Sequence, residues 1–364
     1  MIIPKSVLTL LVLFLPCLLF AQEVKPDIDF SRVDSLAKTI TYKNDINLLT
    51  NELTSSYSDQ IHKVRAIFRW ITYNISYDFK FYNKYDYRGK EPKPFTCSGD
   101  SMECAIKLNV WEMKYVNKVL DKKKAVCQGY AMLFKRMCKI AGIEAVVIPG
   151  YVRTEYYEVG TLGSLDHAWN AVLLNGVYYL LDVTWAAGGC PAYDDGKLIF
   201  FYRYYDDYYW LTPAVEFARN HYPEDDKWVL LPRYTKENFS ANPYYAPGVL
   251  SDIKLITPYT GIITAKKGDT IRFKLKYAGS VRALQINTNI FQNPDIWYHE
   301  RTRRREMPIW RKDTAAIKKQ RYVKYKHDGD SYEFTYIVND NTLEYIDIIF
   351  DTRRVMRFKV NDHR

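Results

Sequence analysis

The chain has 364 residues, of which 48% are hydrophobic and 26% are charged. These fractions are ordinary for a globular protein and exclude disordered, collagen-like and coiled-coil classes, while the length predicts two domains of roughly 100–200 residues each. The formal net charge of +10 is a modest excess for a chain of this size, so it does not by itself indicate a nucleic-acid or membrane partner.

The amino terminus has the pattern of a secretory signal peptide. Lys5 precedes an apolar stretch at 7–20, and Ala21 ends the stretch before a polar segment. The stretch is short for a transmembrane span, and no later segment is long and apolar enough for one. We therefore predict cleavage after Ala21 and a mature chain that is secreted, periplasmic or held at the cell surface without a transmembrane anchor. Lipidation at Cys17 is the less favoured alternative, because Pro16 stands where a small residue is expected.

Helical periodicity follows a polar lead-in at 22–54. Asp59 is placed to cap a helix whose apolar face is formed by Val64, Ile67, Phe68 and Ile71. Residues 78–100 are rich in Tyr, Lys, Gly and Pro and predict an irregular loop. Residues 105–121 predict another amphipathic helix.

After the predicted signal peptide the chain keeps an odd number of cysteines: Cys97, Cys104, Cys127, Cys138 and Cys190. In an oxidising compartment an odd number leaves at least one free thiol or an intermolecular bridge. Cys97 and Cys104 flank a short loop and could bridge each other. Cys127 lies at the predicted start of a helix that ends at Gly142, and the unpaired backbone N–H groups at such a start favour the reactive thiolate. Cys138 lies on the apolar face of the same helix and is predicted to be core.

Three strands are predicted after that helix: 145–152, 167–174 and 177–183. Asn175-Gly176 joins the last two, and this dipeptide is the strongest short signal for a two-residue hairpin turn. The resulting register places His167 and Asp182 diagonally on one face of the sheet. Diagonal neighbours lie about 7–8 Å apart at the backbone, a separation that their side chains can bridge.

Together, Cys127, His167 and Asp182 have the composition of a nucleophilic relay. A carboxylate fixes the tautomer of the imidazole and stabilises the imidazolium, while the other ring nitrogen takes a proton from the thiol. The alternative is a chance diagonal pair joined by a structural hydrogen bond. We favour the relay, because unpaired polar groups among apolar strand neighbours are costly to bury.

Beyond residue 245 the pattern changes from helical periodicity to strands. Apolar residues alternate with polar ones in several short runs: 271–277, 281–286, 332–338, 345–350 and 355–360. These runs predict an antiparallel, immunoglobulin-like β-sandwich. The basic stretch 301–326 is interrupted by acidic and apolar residues, so it indicates a solvated face or a loop rather than a nucleic-acid groove.

Around the three relay residues the sequence resembles the transglutaminase-like superfamily. The motifs that carry the resemblance are Val126-Cys127-Gln128-Gly129-Tyr130-Ala131, Gly142-Ile143-Glu144-Ala145, Gly150-Tyr151, Asp166-His167-Ala168-Trp169-Asn170 and Leu181-Asp182-Val183-Thr184-Trp185. Their order and spacing are those of the family, over roughly residues 55–235. The resemblance implies a papain-like cysteine fold whose catalytic triad is Cys127, His167 and Asp182.

Two strings further along resemble the subgroup that includes the kyphoscoliosis peptidase: His221-Tyr222-Pro223 and Trp228-Val229-Leu230-Leu231-Pro232. This likeness implies a β domain after the core. No glutamine stands shortly before Cys127 to donate to an oxyanion, so its backbone N–H and an upstream side chain are expected to serve. Trp70 and Trp111 are candidates by residue type, although core packing is the simpler interpretation of both. Zinc and phosphate motifs are absent, so neither a metal nor a cofactor is predicted.

The sequence therefore predicts an α+β protein with a papain-like transglutaminase core followed by an antiparallel β-sandwich. The predicted boundaries are 1–21 for the signal peptide, 22–54 for the lead-in, 55–245 for the core and 246–364 for the sandwich. The predicted function is cysteine-dependent acyl transfer on peptide or protein amides through a thioester. The acceptor is water in a peptidase or amidase and an amine in a transglutaminase. The alternative is a non-catalytic scaffold or adhesion protein at the cell surface.

The partners expected for such an enzyme are peptides, proteins or cell-wall material outside the cell. Nucleic acid is not expected as a partner. The composition of the chain leaves the identity of the substrate open, because aromatic residues, at 16% including 32 tyrosines, are also good strand formers.

Overall fold

A computed structural model describes residues 25–84, 95–193, 195–300 and 309–361. The predicted signal peptide, its cleavage position after Ala21 and Cys17 lie outside the described residues. Within the described ranges, none of the helices has both the length and the apolar character needed to cross a bilayer. Two large hydrophobic cores organise these ranges, one built from helices and a sheet and the other from sheets alone.

The first core begins with helices. In chain order they are α1 (Ser31–Thr39), α2 (Ile46–Thr54), α3 (Gln60–Asn74), α4 (Phe79–Lys84), α5 (Ser101–Lys122) and α6 (Cys127–Ile140). Two short strands, β1 (Ser76–Tyr77) and β2 (Lys124–Ala125), pair in parallel directly before α6. Asp59 caps α3 as predicted, and its carboxylate accepts the backbone N–H of His62 at 3.0 Å.

Helices α1 and α2 occupy the part of the chain that the sequence suggested was a polar lead-in. Both pack on α3, and Val33 and Leu49 are buried in the first core. A buried ion pair fixes α1 in place: Asp34 accepts two hydrogen bonds from Arg65 of α3, both at 2.7 Å. Such short amphipathic helices show weak periodicity in sequence, because their stability comes from tertiary packing.

A four-stranded antiparallel sheet covers the other side of α6. Its order is β5-β4-β3-β8, from β3 (Ala145–Val152), β4 (Leu165–Leu174), β5 (Val177–Leu181) and β8 (His221–Pro223). Between β5 and β8 the chain forms α7 (Val183–Ala187), β6 (Gly188–Gly189), β7 (Tyr202–Arg203) and α8 (Ala214–Phe217); α9 (Lys236–Ser240) follows β8.

The predicted hairpin register is confirmed. Leu174 pairs with Val177, and the turn residues Asn175 and Gly176 have φ values of 51° and 82°. Two positive φ values are the requirement of a type I′ turn, which explains why Asn-Gly stands there. Strand β5 ends at Leu181, two residues earlier than expected, because the next residue caps α7 instead of continuing the strand.

The second core is a sandwich of two sheets. This part of the chain forms β9 (Tyr244–Tyr245), β10 (Ile253–Thr257), β11 (Ile262–Thr264), β12 (Thr270–Tyr277), β13 (Leu284–Thr288), β14 (Trp297–Glu300), β15 (Ile309–Lys312), α10 (Thr314–Lys318), β16 (Tyr325–Asp328), β17 (Ser331–Ile337), β18 (Tyr345–Phe350) and β19 (Arg353–Asn361). Strands β14 and β15 pair with each other in a separate two-stranded sheet. One sheet has the order β10-β12-β17-β16, and the other β11-β19-β18-β13 with β9 added on β19.

The α+β class and the sandwich are thus confirmed, with one difference in strand direction. The rings of Phe273 in β12 and Phe358 in β19 meet between the two sheets, with centroids 5.3 Å apart. Strand β11 pairs in parallel with β19, whereas the other pairs of the two sheets are antiparallel. Part of the basic stretch, 301–308, lies outside the described residues.

The loop between β3 and β4 reaches from the first core to the second. Val159 is buried among the sandwich residues, and Gly160 donates its N–H to the carbonyl of Ser240 at 2.9 Å. Arg153 is buried at the start of the loop and donates to the carbonyl oxygens of Thr161 and Phe239 at 3.2 and 2.8 Å. The segment that leads into His167 is therefore fixed by residues of both halves of the chain.

Candidate active site

Cys127 is the first residue of α6 and is partly buried. Val126 precedes it in an extended conformation and accepts the N–H of Gly129 at 2.9 Å, while the N–H groups of Cys127 and Gln128 have no preceding helical carbonyl to bind. The helix can begin this close to β2 because Gly129 faces Ala125, whose Cβ would lie 2.7 Å from a Cβ at Gly129. The sulfur lies 3.7 Å from the backbone oxygen of Asp166, the residue before His167.

His167 lies on β4, opposite Gly150 of β3. A side chain at Gly150 would come within 2.1 Å of the ring of Trp169, so glycine leaves the room that this ring occupies. The ring of His167 is buried, and its Nε2 lies 2.7 Å from Oδ2 of Asp182. The structure thus brings together the two residues that the hairpin register placed on one face.

Asp182 is fully buried, and both oxygens of its carboxylate accept hydrogen bonds. Its Oδ1 accepts the backbone N–H groups of Thr184 and Trp185 at 2.7 and 3.0 Å, which makes it the N-cap of α7. Its Oδ2 faces two imidazoles, His167 at 2.7 Å and His221 at 3.2 Å. Four hydrogen bonds compensate for removing this carboxylate from water.

His167 and Asp182 form an ion pair. Burial opposes the charged form of His167, but the charge and hydrogen bond of Asp182, followed by the Cys127 thiol, raise the pKa of His167 to about 10. Burial likewise opposes ionisation of Asp182, yet the two histidines hold its pKa well below the ordinary value. Because Nε2 of His167 faces Asp182, Nδ1 is the ring nitrogen left for the thiol of Cys127.

His221 also belongs to the site. In the sequence it stood out only as the first residue of the string His221-Tyr222-Pro223. Pairing of β8 with β3 at Val152 carries it to Asp182, 39 residues away in the chain. Its ring is fully buried against the rings of Phe217 and Trp185, at centroid distances of 4.1 and 4.6 Å. Burial, together with the charge of His167, outweighs Asp182 and lowers the pKa of His221 to about 4.

His167, Asp182 and His221 also offer three possible metal ligands, with donor atoms within 4.8 Å of one another. Two ligands of one tetrahedral zinc, each about 2.0–2.1 Å from the ion, lie about 3.3 Å apart. The 2.7 Å between Nε2 of His167 and Oδ2 of Asp182 is instead a hydrogen-bond distance. The donor set in this geometry fits proton transfer better than metal binding.

Other residues singled out by sequence have structural environments. Trp70 is buried in the first core and donates its indole N–H to the carbonyl of Ile40 at 2.8 Å, which removes that donor from an oxyanion role. Trp111 stacks on Tyr115 of the same helix at 5.6 Å. Both tryptophans therefore have packing roles, as the simpler interpretation of the sequence predicted.

The cysteines divide as the sequence suggested. Cys97 and Cys104 form a disulfide, while Cys127, Cys138 and Cys190 are free thiols in the described part of the chain. Cys138 is fully buried in the first core. Burial raises the pKa of Cys190 to about 12, so that thiol is a poor nucleophile near neutral pH.

The chain is similar in sequence to a known family and to several known proteins. The model of the transglutaminase-like superfamily matches residues 47–183, a range that contains Cys127, His167 and Asp182. The kyphoscoliosis peptidase of Mus musculus is 30% identical over 230 residues, which are 61% of this chain and 31% of that protein. Hillarin of Drosophila melanogaster is 28% identical over 229 residues, 60% of this chain and 25% of that one.

A crystallised TGase is 17% identical, with a TM-score of 0.26, over 43% of this chain and 34% of its own. The chain spans about a third, or less, of the length of the curated relatives that it matches.

Proposed function

We propose that this chain is a cysteine-dependent acyl-transfer enzyme acting on peptide or protein amides. Its residues 47–183 belong to the transglutaminase-like superfamily, in a subgroup similar to the kyphoscoliosis peptidase. The observation that carries the proposal is the buried pair of His167 Nε2 and Asp182 Oδ2, 2.7 Å apart, together with the sulfur of Cys127, which lies 3.7 Å from the backbone oxygen of Asp166, the residue before His167. A structural hydrogen bond would not need a thiol at a helix start as a third member.

The proposed reaction uses Cys127 as the nucleophile. Its sulfur attacks the carbonyl carbon of the amide as the thiolate, because the His167 imidazolium beside it already carries the thiol proton on Nδ1. The developing oxyanion is stabilised by the backbone N–H groups of Cys127 and Gln128, which lack partners within α6. When the tetrahedral intermediate collapses, His167 gives the proton to the leaving amine and a thioester remains on Cys127.

The second half of the reaction releases the acyl group. Water or an amine attacks the thioester, His167 accepts the proton of the attacking group, and the sulfur leaves as the thiolate. Asp182 stays ionised throughout and stabilises the imidazolium in both halves. Water gives a carboxylic acid, as in a peptidase or amidase, and an amine gives a new amide, as in a transglutaminase.

The test is selective alkylation of the free thiols. The full chain is incubated with iodoacetamide at pH 6, below the ordinary thiol pKa of about 8.5, and the labelled cysteines are mapped by mass spectrometry. We expect Cys127 to react first and His167→Ala to abolish this preference. Cys190 is the internal control, because it is a partly buried thiol without an imidazole partner among its described contacts. Slow, equal labelling of the thiols would reject the enzyme and favour the non-catalytic scaffold.

The acceptor is tested separately. An unfolded protein substrate is incubated with the chain and a fluorescent primary amine. Incorporation of the amine at glutamine side chains would indicate a transglutaminase, and new amino termini would indicate a peptidase. Both activities should disappear in Cys127→Ala.

We also propose that the chain is exported through a cleaved signal peptide. The support is the sequence pattern that ends at Ala21. Amino-terminal sequencing of protein recovered outside the producing cells should start at Gln22. A start at Met1, or a lipid on Cys17, would contradict this proposal.

A further inference from the structure

His221 has polar partners at both ring nitrogens. Nε2 lies 3.2 Å from Oδ2 of Asp182, and Nδ1 lies 2.7 Å from Oδ1 of Asn220. Nδ2 of the same amide lies 3.4 Å from the hydroxyl oxygen of Tyr209. All three side chains behind Asp182 are buried, so a continuous row of polar groups runs from Tyr209 to the carboxylate.

The proton positions in this row follow from the burial of its members. The titratable groups that face His221 are Asp182, His167 and Tyr209. Burial beside an already charged imidazole favours a neutral ring at His221, which carries one N–H. An ionised carboxylate requires a donor, so this single proton belongs on Nε2.

Oδ1 of Asn220 faces Nδ1 of His221 in the structure, so this tautomer requires the Asn220 amide to turn by 180° and exchange its oxygen and nitrogen positions. Nδ1 of His221 is then an acceptor, and the Asn220 amide supplies the donor when its NH₂ group faces the ring. In that orientation its oxygen accepts from the Tyr209 hydroxyl. The result is an ordered series of hydrogen bonds in which Tyr209 donates to Asn220, Asn220 to His221, and His221 to Asp182.

We propose that His221 is a positioning residue of the acyl-transfer site, whose Nε2–H fixes the Asp182 carboxylate opposite His167 and keeps the proton on His167. This inference rests on the proposed function. Without the donor, Oδ2 of Asp182 would have His167 as its one remaining partner and would become a stronger base. The shared proton would then lie closer to Asp182 and further from His167. The Asp182 carboxylate could also rotate while its Oδ1 stays bonded to the N–H groups of Thr184 and Trp185.

The surroundings of His221 leave little room for a substitute donor. The ring stacks on Phe217 at 4.1 Å and lies against Trp169 at 5.0 Å, and both of these residues are buried. The hydrogen bonds to the Asp182 carboxylate in the described part of the chain come from His167, His221, Thr184 and Trp185, and neither of these two rings contributes one. Removal of the imidazole should therefore be felt at His167 and at Cys127.

The experiment compares three variants by the pH profile of Cys127 alkylation in the full chain. His221→Gln places an amide N–H near the position of Nε2, whereas His221→Leu fills similar space without a donor. A hydrogen bond to a charged group is worth a factor of about 10–100, so we expect His221→Leu to lose that factor in the rate at pH 6. Its profile should move towards that of an ordinary thiol, while His221→Gln stays within about threefold of the wild type.

Phe217→Leu is the matched control, because it removes the ring stacked on His221 and leaves the hydrogen bonds intact. It should lower the melting temperature without moving the pH profile. If His221→Leu does not fold, His221→Asn is used instead, since its amide is too short to reach Asp182 and should behave as the leucine variant.

The outcomes separate the two proposals. A wild-type profile in His221→Leu or His221→Asn would overturn the positioning role and leave the proposed function standing. A wild-type chain whose Cys127 already titrates as an ordinary thiol would reject the proposed function itself. Rescue by glutamine combined with loss in leucine would support the inference.

Discussion

Each half of the molecule buries one aspartate between two nitrogenous side chains. In the first core Asp182 lies between His167 and His221, and in the sandwich Asp347 of β18 is 1% exposed between Arg354 and Arg357. Arg357 donates to Asp347 through Nε and Nη2 at 2.5 and 2.6 Å. The geometry is similar, but an arginine cannot lose its proton in a protein, whereas a histidine can.

The surroundings of the two carboxylates differ in the same sense. The guanidinium of Arg357 lies 4.3 Å from the ring of Tyr156 and 3.8 Å from that of Tyr345, so the sandwich cluster is closed by aromatic faces. At Asp182 one partner, His167, also interacts with the partly buried thiol of Cys127. A buried carboxylate therefore stabilises a fold when its partners hold fixed charges, and it can serve chemistry when a partner exchanges a proton with a nucleophile.

The largest expected contrast is in activity. Asp182→Asn should keep the N-cap of α7, because asparagine also caps helices, but it should lower turnover by about 10⁴-fold since the imidazolium loses its counter-charge. Asp347→Asn should leave turnover per folded molecule unchanged. The measurement is acyl release from whichever amide the wild type cleaves. Equal activity in the two variants would mean that Asp182 is only structural.

Stability should show the reverse contrast. Asp347→Ala leaves two arginines without their counter-charge, one of them largely buried, and should cost about 3 kcal/mol in the free energy of unfolding. Asp182→Asn should cost less, since its oxygen still accepts the N–H groups of Thr184 and Trp185, and His167 can lose its proton instead of remaining charged and unpaired. Urea unfolding of both variants tests this. A smaller loss in Asp347→Ala than in Asp182→Asn would break the comparison.

The pH dependence of stability should identify the histidine cluster. His167 binds its proton up to about pH 10 when folded but only to about 6.5 when unfolded, so its contribution is complete below pH 6.5 and is lost as the pH rises towards 10. His221 stays neutral down to about pH 4, so acidification from 6.5 to 4 favours the unfolded chain, which binds the proton. Each limb has a limiting slope of about 1.4 kcal/mol per pH unit.

The two limbs predict a stability maximum near pH 6.5, and two variants assign them. His221→Gln should flatten the acidic limb and His167→Gln the alkaline one, measured as melting temperatures from pH 4 to 10. Asp347→Ala should lower the whole curve without changing its shape on either side of the maximum, because the sandwich cluster has no histidine. A pH-independent shift in the histidine variants would contradict the assigned proton positions.

The smallest expected effect concerns the aromatic cover of the sandwich cluster. Tyr156 is 37% exposed, and its ring lies 4.4 Å from Arg354 and 4.3 Å from Arg357. Cation–π contacts at exposed sites are worth about 0.5–1 kcal/mol, so Tyr156→Leu should cost no more than that in urea unfolding. A loss as large as that of Asp347→Ala would show that the ring, and not the carboxylate, organises the arginines.

Local signals in the sequence were sufficient for much of the site. Asn175-Gly176 fixed the register that brings His167 to Asp182, because a two-residue turn allows one pairing of the flanking strands. The helix that begins at Cys127 followed from its apolar spacing and from Gly142 as the signal for its end. An aspartate before Val183-Thr184-Trp185 is a signal for a helix start, so the sequence also contained the cap role of Asp182. The strand pattern of the preceding residues instead favoured a strand that continues through it.

Non-local pairing was out of reach. His221 joins the site because β8 adds to the edge of β3, and nothing within the string His221-Tyr222-Pro223 indicates that neighbour. The same holds for α1, whose position depends on the contact of Asp34 with Arg65 of α3. Both features depend on residues far apart in sequence, where periodicity and turn chemistry carry no information.

The loop between β3 and β4 has a consequence for synthesis on the ribosome. Val159 is buried in the second core, and Tyr156 lies on Arg357 of β19, a strand made about 200 residues later. At about 5–20 residues per second, that strand is added roughly 10–40 s after the loop. The segment that leads into His167 therefore lacks its final packing partners while the chain is still growing. The order of synthesis therefore places Cys127, His167 and Asp182 in the growing chain before the strand against which this loop packs.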